Sequence, residues 1–168
     1  MNFLSFAKER FAVRSFSDTP VAQEKTDAIL EAAQIAPTAG NHQPQRIKIV
    51  QGEDAIAKFD KCSPCRYGAP LVFIVCYESE TVINRMDGGE SSGQVDAAIV
   101  TTHMMLEAHE QGLNTVWVMM FDTNKLREEF EIPESIIPVA ALVTGYKSDD
   151  AVPHPFHTDK KPIESYLI

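Results

Sequence analysis

The run Leu71 to Tyr77, Leu-Val-Phe-Ile-Val-Cys-Tyr, is continuously apolar and rich in branched residues. It falls far short of the ~20 residues a membrane helix needs. It is predicted as a strand at the centre of a sheet, buried on both faces. Three further strands are expected around it. Ile47 and Ile49 alternate with Arg46 and Lys48 as a half-buried strand should, and Thr115–Phe121 and Val139–Thr144 supply the others.

The helical segments follow from 3.6-residue spacing. Phe3, Leu4, Phe6, Ala7 and Phe11 predict a short first helix ending near Arg10, with Asn2 as its cap. Thr26, Ile29, Leu30 and Ala33 stripe a second helix over residues 23–34, which Pro37 ends. A turn and short helix are expected over 51–59, and a helix capped by Asp122 or Thr123 over 124–130. Ser91 with Gln94 three residues later spells a capping box for the longest helix, which reaches Gln111 and stops at Gly112. On it Val95, Ala98, Ile99, Thr102, Met105 and Leu106 predict the core-facing stripe. Val100, Met104 and Ala108 widen the apolar surface toward a second burial partner. With no parallel βαβ repetition, the fold class is α+β, two layers of few strands and flanking helices.

At 168 residues and 44% hydrophobic composition, one domain spanning residues 1–168 is expected. The net charge of -9 and pI near 5.0 exclude nucleic acid and anionic membrane as partners, since both require a basic surface. Residues 1–10 lack the apolar core of a leader, so a cytoplasmic protein is expected. Cys62, Cys65 and Cys76 are too few for a disulfide framework. Cys62-Ser63-Pro64-Cys65 lacks the strand and helix that would flank a redox pair, so free thiols are expected. His103, His109, His154 and His157 have no partners at metal-ligand spacing and read as structural or solvated.

Residues 36–46, Ala-Pro-Thr-Ala-Gly-Asn-His-Gln-Pro-Gln-Arg, form the candidate ligand loop. Pro37 and Pro44 resist helix, Gly40 permits positive φ, and the amides of Asn41 and Gln43 can donate and accept hydrogen bonds to a flat heterocycle. Arg10 and Arg14, four apart at a helix exit, can converge on one anion. The segment 80–93 is polar and glycine-containing, and is expected as an exposed loop able to cover a pocket.

The run Ala36-Pro37-Thr38-Ala39-Gly40-Asn41-His42-Gln43-Pro44 resembles the nitroreductase family of FMN-dependent oxidoreductases. Three further segments match in order: Arg10 to Phe16, Gly112 to Trp117 with Phe121-Asp122 behind it, and Gly145-Tyr146 followed by Lys160-Lys161-Pro162. The resemblance implies a mainly antiparallel sheet of four to five strands and a long central helix at a homodimer interface. It implies bound FMN that passes a hydride from NADH or NADPH through flavin N5 to a nitroaromatic, quinone or related small-molecule acceptor in a ping-pong cycle. It places Arg10, Arg14 and Lys160 at the phosphate, Asn41 and Gln43 at the ring edge or ribityl chain, and the backbone of Met119 and Met120 near N5. The chain departs from the family pattern in three places. Ala12 replaces a serine, Met119 and Met120 stand where glycine is common at one position, and Gln45 follows Gln-Pro where relatives carry an aromatic residue. A non-catalytic FMN sensor or store, and an interaction domain without cofactor, are the alternatives.

Overall fold

The computed structural model describes residues 2–168. The helices are α1 (Phe3–Glu9), α2 (Gln23–Ile35), α3 (Glu53–Cys62), α4 (Gly93–Glu110) and α5 (Thr123–Phe130). The strands are β1 (Gln45–Gln51), β2 (Leu71–Glu78), β3 (Asn114–Val118) and β4 (Ile136–Gly145). They form one antiparallel sheet in the order β1-β2-β4-β3. β2 is central as predicted, and Leu71 to Cys76 are buried throughout.

Alternation along β2 divides the core. Leu71, Phe73 and Val75 pack with Ile29 and Ala33 of α2 and with Ala97, Val100 and Met104 of α4. Val72, Ile74 and Cys76 face the other way, against Phe59 of α3 and Leu126 and Phe130 of α5. The expected α+β class, antiparallel sheet and flanking helices are all present. Because both faces of β2 are apolar, helices cover both, and the layering is helix, sheet, helix where two layers are expected.

Local expectations fare unevenly. Asn2 caps α1 by accepting from the Ser5 N–H at 2.9 Å, and Asp122 caps α5 by accepting from Asn124 and Lys125. The capping box at Ser91 and Gln94 does not form. Ser92 is the N-cap, in αR geometry, and its hydroxyl is committed to the preceding loop, accepting from the Ile83 N–H at 3.1 Å. A Cβ at Gly93 would overlap the Tyr77 ring, so glycine there lets the first turn of α4 lie against the end of β2.

The face of α4 is inverted relative to the periodicity. Val100, Met104 and Ala108 are fully buried in the chain's own core, whereas Val95 is 61% exposed and Ile99, Thr102, Met105 and Leu106 are half-buried. The helix is apolar nearly all round, so spacing alone cannot say which side meets the sheet. β3 also ends earlier than predicted, at Val118, and leaves Met119 and Met120 exposed at its exit. Among the described residues no helix is long and apolar enough to cross a membrane.

Candidate functional site

The chain leaves α1 at Arg10 in extended conformation and runs beside the sheet edge. Ala12 bridges Thr115 of β3 in parallel fashion, and the Val13 N–H donates to the Thr115 carbonyl at 3.1 Å. Val13 is fully buried by this docking, and alternation turns Ala12 and Arg14 to the opposite side. There Ala12 and Arg14 line a cavity of about 550 Å³ with Phe11, His154, Phe156 and His157. Arg10 and Lys160 line a neighbouring cavity of about 430 Å³ with Leu4, Ala7 and His157. His157 belongs to both walls, fixed by Nε2 against the Lys8 carbonyl at 3.3 Å and edge-on to Phe11.

This basin is electrostatically unbalanced. Among the described residues ion pairs form at Arg46–Glu78, Lys61–Glu129, Arg66–Asp60 and Arg85–Asp87, and none engages Arg10, Arg14 or Lys160. Burial pulls the Arg10 guanidinium below its ordinary pKa, the expected cost of a half-buried cation without a carboxylate. Uncompensated cations around a cavity, on a chain of net charge -9, offer hydrogen-bond donors and charge suited to an anion.

Arg14 has a neighbour that sequence spacing does not reveal. The Tyr67 phenol is raised in pKa by its hydrogen bond with Cys65 first and by burial second, against the opposing pull of Arg14. The turn carrying Tyr67, itself at φ +56°, also holds the exit of β3. Ser63 Oγ donates to the Met120 carbonyl at 2.6 Å, Cys65 Sγ lies 3.8 Å from Met120 Sδ, and the Asp122 N–H reaches the Cys62 carbonyl at 2.9 Å. Met119 and Met120 are 67% and 68% exposed, so they do not fill the core. All three cysteines are free thiols, and among the described residues no group of His, Cys, Asp and Glu could hold a metal.

The candidate loop is rigidly built. Gly40, Asn41 and Gln43 sit at φ +56°, +57° and +51°, a conformation costly for the two that carry a Cβ. The surrounding structure compensates. The Asn41 N–H donates to the Thr38 carbonyl, the Gln43 N–H to Thr38 Oγ1 at 3.0 Å, and the Ala39 N–H to Asp96 Oδ1 at 2.8 Å. His42 Nδ1 pairs with the Thr81 carbonyl, and the Pro44 carbonyl accepts from Glu78. The result holds Asn41 and Gln43 out to solvent. Ala39 lines a third cavity, at the amino end of α4, that shares no wall residue with the two around Arg10 and Arg14. One chain therefore presents a cationic basin and an amide-bearing loop on separate cavities. Asp96, the buried residue that ties down the loop, carries no sequence signal beyond its place in the first turn of α4.

Comparison with known proteins places this geometry among others. The model of the nitroreductase family matches residues 7–65 and 61–146. A Methanothermobacter thermautotrophicus protein provisionally named NADH dehydrogenase/NAD(P)H nitroreductase is 29% identical over 159 residues, covering 89% of this chain and 80% of that protein. The crystal structure of a nitroreductase family protein from Clostridium difficile 630 aligns with TM-score 0.93 at 37% identity, over 100% of this chain and 98% of that one. A protein from Exiguobacterium sibiricum, solved in complex with FMN, shares the fold with TM-score 0.85 at 18% identity, covering 100% and 97%.

Proposed function

Because the chain belongs to the nitroreductase family, we propose that it is an FMN-dependent oxidoreductase that draws electrons from NADH or NADPH and passes them to a small-molecule acceptor. The observation that carries this reading is the unpaired cationic group of Arg10, Arg14 and Lys160 around two adjoining cavities. Its donors fit a phosphate, since guanidinium forks offer paired N–H groups to phosphoryl oxygens. FMN, when bound, supplies the hydride chemistry between nicotinamide and acceptor. The protein supplies the rest. Arg10, Arg14 and Lys160 neutralise and fix the phosphate, with Ala12 in the same wall offering backbone but no hydroxyl. Asn41 and Gln43 hydrogen-bond the edge of the ring or the ribityl chain, and the Met119-Met120 backbone, clamped by Ser63, borders the reactive face.

The separation of basin and loop within one chain supports a homodimer in which the loop of one copy completes the basin of the other. The half-exposed apolar face of α4 around Val95, Ile99, Met105 and Leu106 is the surface available for that contact. A visible spectrum tests the reading. The purified protein should be yellow, NADH or NADPH should bleach it anaerobically, and a quinone or nitroaromatic should restore the colour. A colourless protein that also fails to bind added FMN refutes the proposal. Flavin reduced by dithionite but by neither nicotinamide would leave only a flavin-binding protein.

A further inference from the structure

His157, structural or solvated by its sequence context, stands in the folded chain between the two cavities of the cationic basin and lines both. It is half-buried, so its ring keeps an open side. Two contacts set its orientation. Nε2 lies 3.3 Å from the Lys8 carbonyl in the last turn of α1, and the ring stands edge-on to Phe11 with centroids 6.0 Å apart. A carbonyl only accepts, so Nε2 carries the hydrogen of that bond. Nδ1 is left with a lone pair and, among the described residues, has no partner.

That assignment decides what His157 can offer an anion. As a neutral imidazole it presents the Nδ1 lone pair, which repels a phosphoryl oxygen. With a proton on Nδ1 it presents a cationic N–H and still keeps its bond to Lys8. Lys8, Arg10 and Lys160 line one cavity with it, Arg14 and His154 the other, and Lys147 Nζ lies over the Phe11 ring. No carboxylate lines either cavity; Glu9 and Asp159, close by in sequence, belong to neither wall. The charge that balances an imidazolium here is therefore the ligand's own. His154 does not share this role, because its Nδ1 accepts from the Phe156 N–H at 3.2 Å and a proton there would cost that bond.

We propose that His157 is a further phosphate-reading residue of the basin, protonated at Nδ1 as the phosphate of FMN arrives and bound to it by a charge-assisted hydrogen bond. The new N–H forms with a proton drawn from the buffer, and no electron moves. The proposal rests on the FMN reading for its ligand, but the proton can be counted without turnover. Cofactor-free protein is titrated calorimetrically with FMN at pH 8, above the range in which an ordinary imidazole titrates. Two buffers of different ionisation enthalpy give the number of protons taken up. Wild type should take up about one proton per FMN, and far less with riboflavin, which lacks the phosphate.

His157→Gln keeps an amide N–H for the Lys8 carbonyl and has no nitrogen to protonate. It should take up no proton and bind FMN about tenfold more weakly, the worth of one charge-assisted hydrogen bond on a half-buried group, with riboflavin affinity unchanged. His157→Phe keeps a ring against Phe11 and should also lose the proton, which provides the control if His157→Gln does not fold. Wild-type FMN affinity in His157→Gln overturns the proposal and leaves His157 as a latch holding the carboxy-terminal segment on α1. Proton uptake that persists in both variants overturns it equally. Sodium sulfate, a tetrahedral dianion with no flavin ring and no proton to exchange at this pH, separates this proposal from the oxidoreductase reading. Sulfate-linked uptake that depends on His157, in a protein that binds no FMN, would keep the residue's role toward an anion and refute the oxidoreductase reading. A yellow, nicotinamide-reducible protein that binds FMN without taking up a proton would do the reverse.

Discussion

Replacing Arg10 with alanine gives a graded test of the cationic basin, because Arg10 and Arg14 differ in setting. Arg10 is half-buried and desolvated, whereas Arg14 is exposed to solvent. A charge-assisted hydrogen bond from a partly buried guanidinium is worth about 1.5–3 kcal/mol, and a solvent-exposed charge pair about 0–1 kcal/mol. Arg10→Ala should therefore weaken FMN binding roughly ten- to a hundredfold, and Arg14→Ala by roughly fivefold or less. Binding is read from the quenching of flavin fluorescence on titration with protein freed of cofactor. Riboflavin keeps the ring and ribityl chain and lacks the phosphate. Wild type should strongly prefer FMN, and Arg10→Ala should narrow that preference while leaving riboflavin affinity nearly unchanged. Added salt should cost wild type more FMN affinity than it costs the mutant, since screening acts on the charge that the mutation removes. If FMN and riboflavin lose affinity equally, Arg10 shapes the helix exit and does not read a phosphate. If Arg14→Ala proves the more damaging change, the link between burial and magnitude is wrong.

Two further outcomes follow from burial. Met104 is fully enclosed in the chain's own core, so Met104→Asp should leave no folded protein by circular dichroism, whereas Val95→Asp, on the exposed side of α4, should stay folded and run as a monomer with weakened FMN binding in light scattering. A folded Met104→Asp, or a dimeric Val95→Asp that retains full FMN affinity, would contradict this assignment of faces. Cys76 concerns pH. Burial pushes its thiol from an ordinary 9.0 up to about 12, so the unfolded chain releases this proton before the folded one does, and stability should fall as pH rises from about 9 to about 12. Cys76→Val removes the titrating group, and urea midpoints at pH 8 and 10.5 should differ less in the variant. An identical alkaline loss in both proteins would show that other groups govern it.

Much of this protein is legible in its sequence because much of it is locally determined. The apolar run Leu71 to Cys76 can satisfy its side chains only as a strand covered on both faces, and it is one. The loop around Gly40 and Asn41 announces itself through residues that tolerate left-handed backbone or lack an N–H, and Asn2 and Asp122 cap as their chemistry dictates. Arg10, Arg14 and Lys160 are visible as charges, but that they line adjoining cavities without carboxylate partners emerges only when the carboxy-terminal segment folds back over α1. The core face of α4 is decided by tertiary contacts, since a helix apolar on nearly every side buries whichever face its neighbours cover. The capping box at Ser91 does not form because α4 starts one residue later, with Ser92 at its N-cap, and the Ser91 hydroxyl accepts from the Gly93 N–H of the entering turn instead. Asp96 is the clearest case. Its tie to Ala39 spans 57 positions of sequence, and its unpartnered oxygen is defined only by the packing around it. Short-range pattern fixes the elements, whereas burial and long-range hydrogen bonds, which depend on what the rest of the chain brings alongside, determine which of their residues can do chemistry.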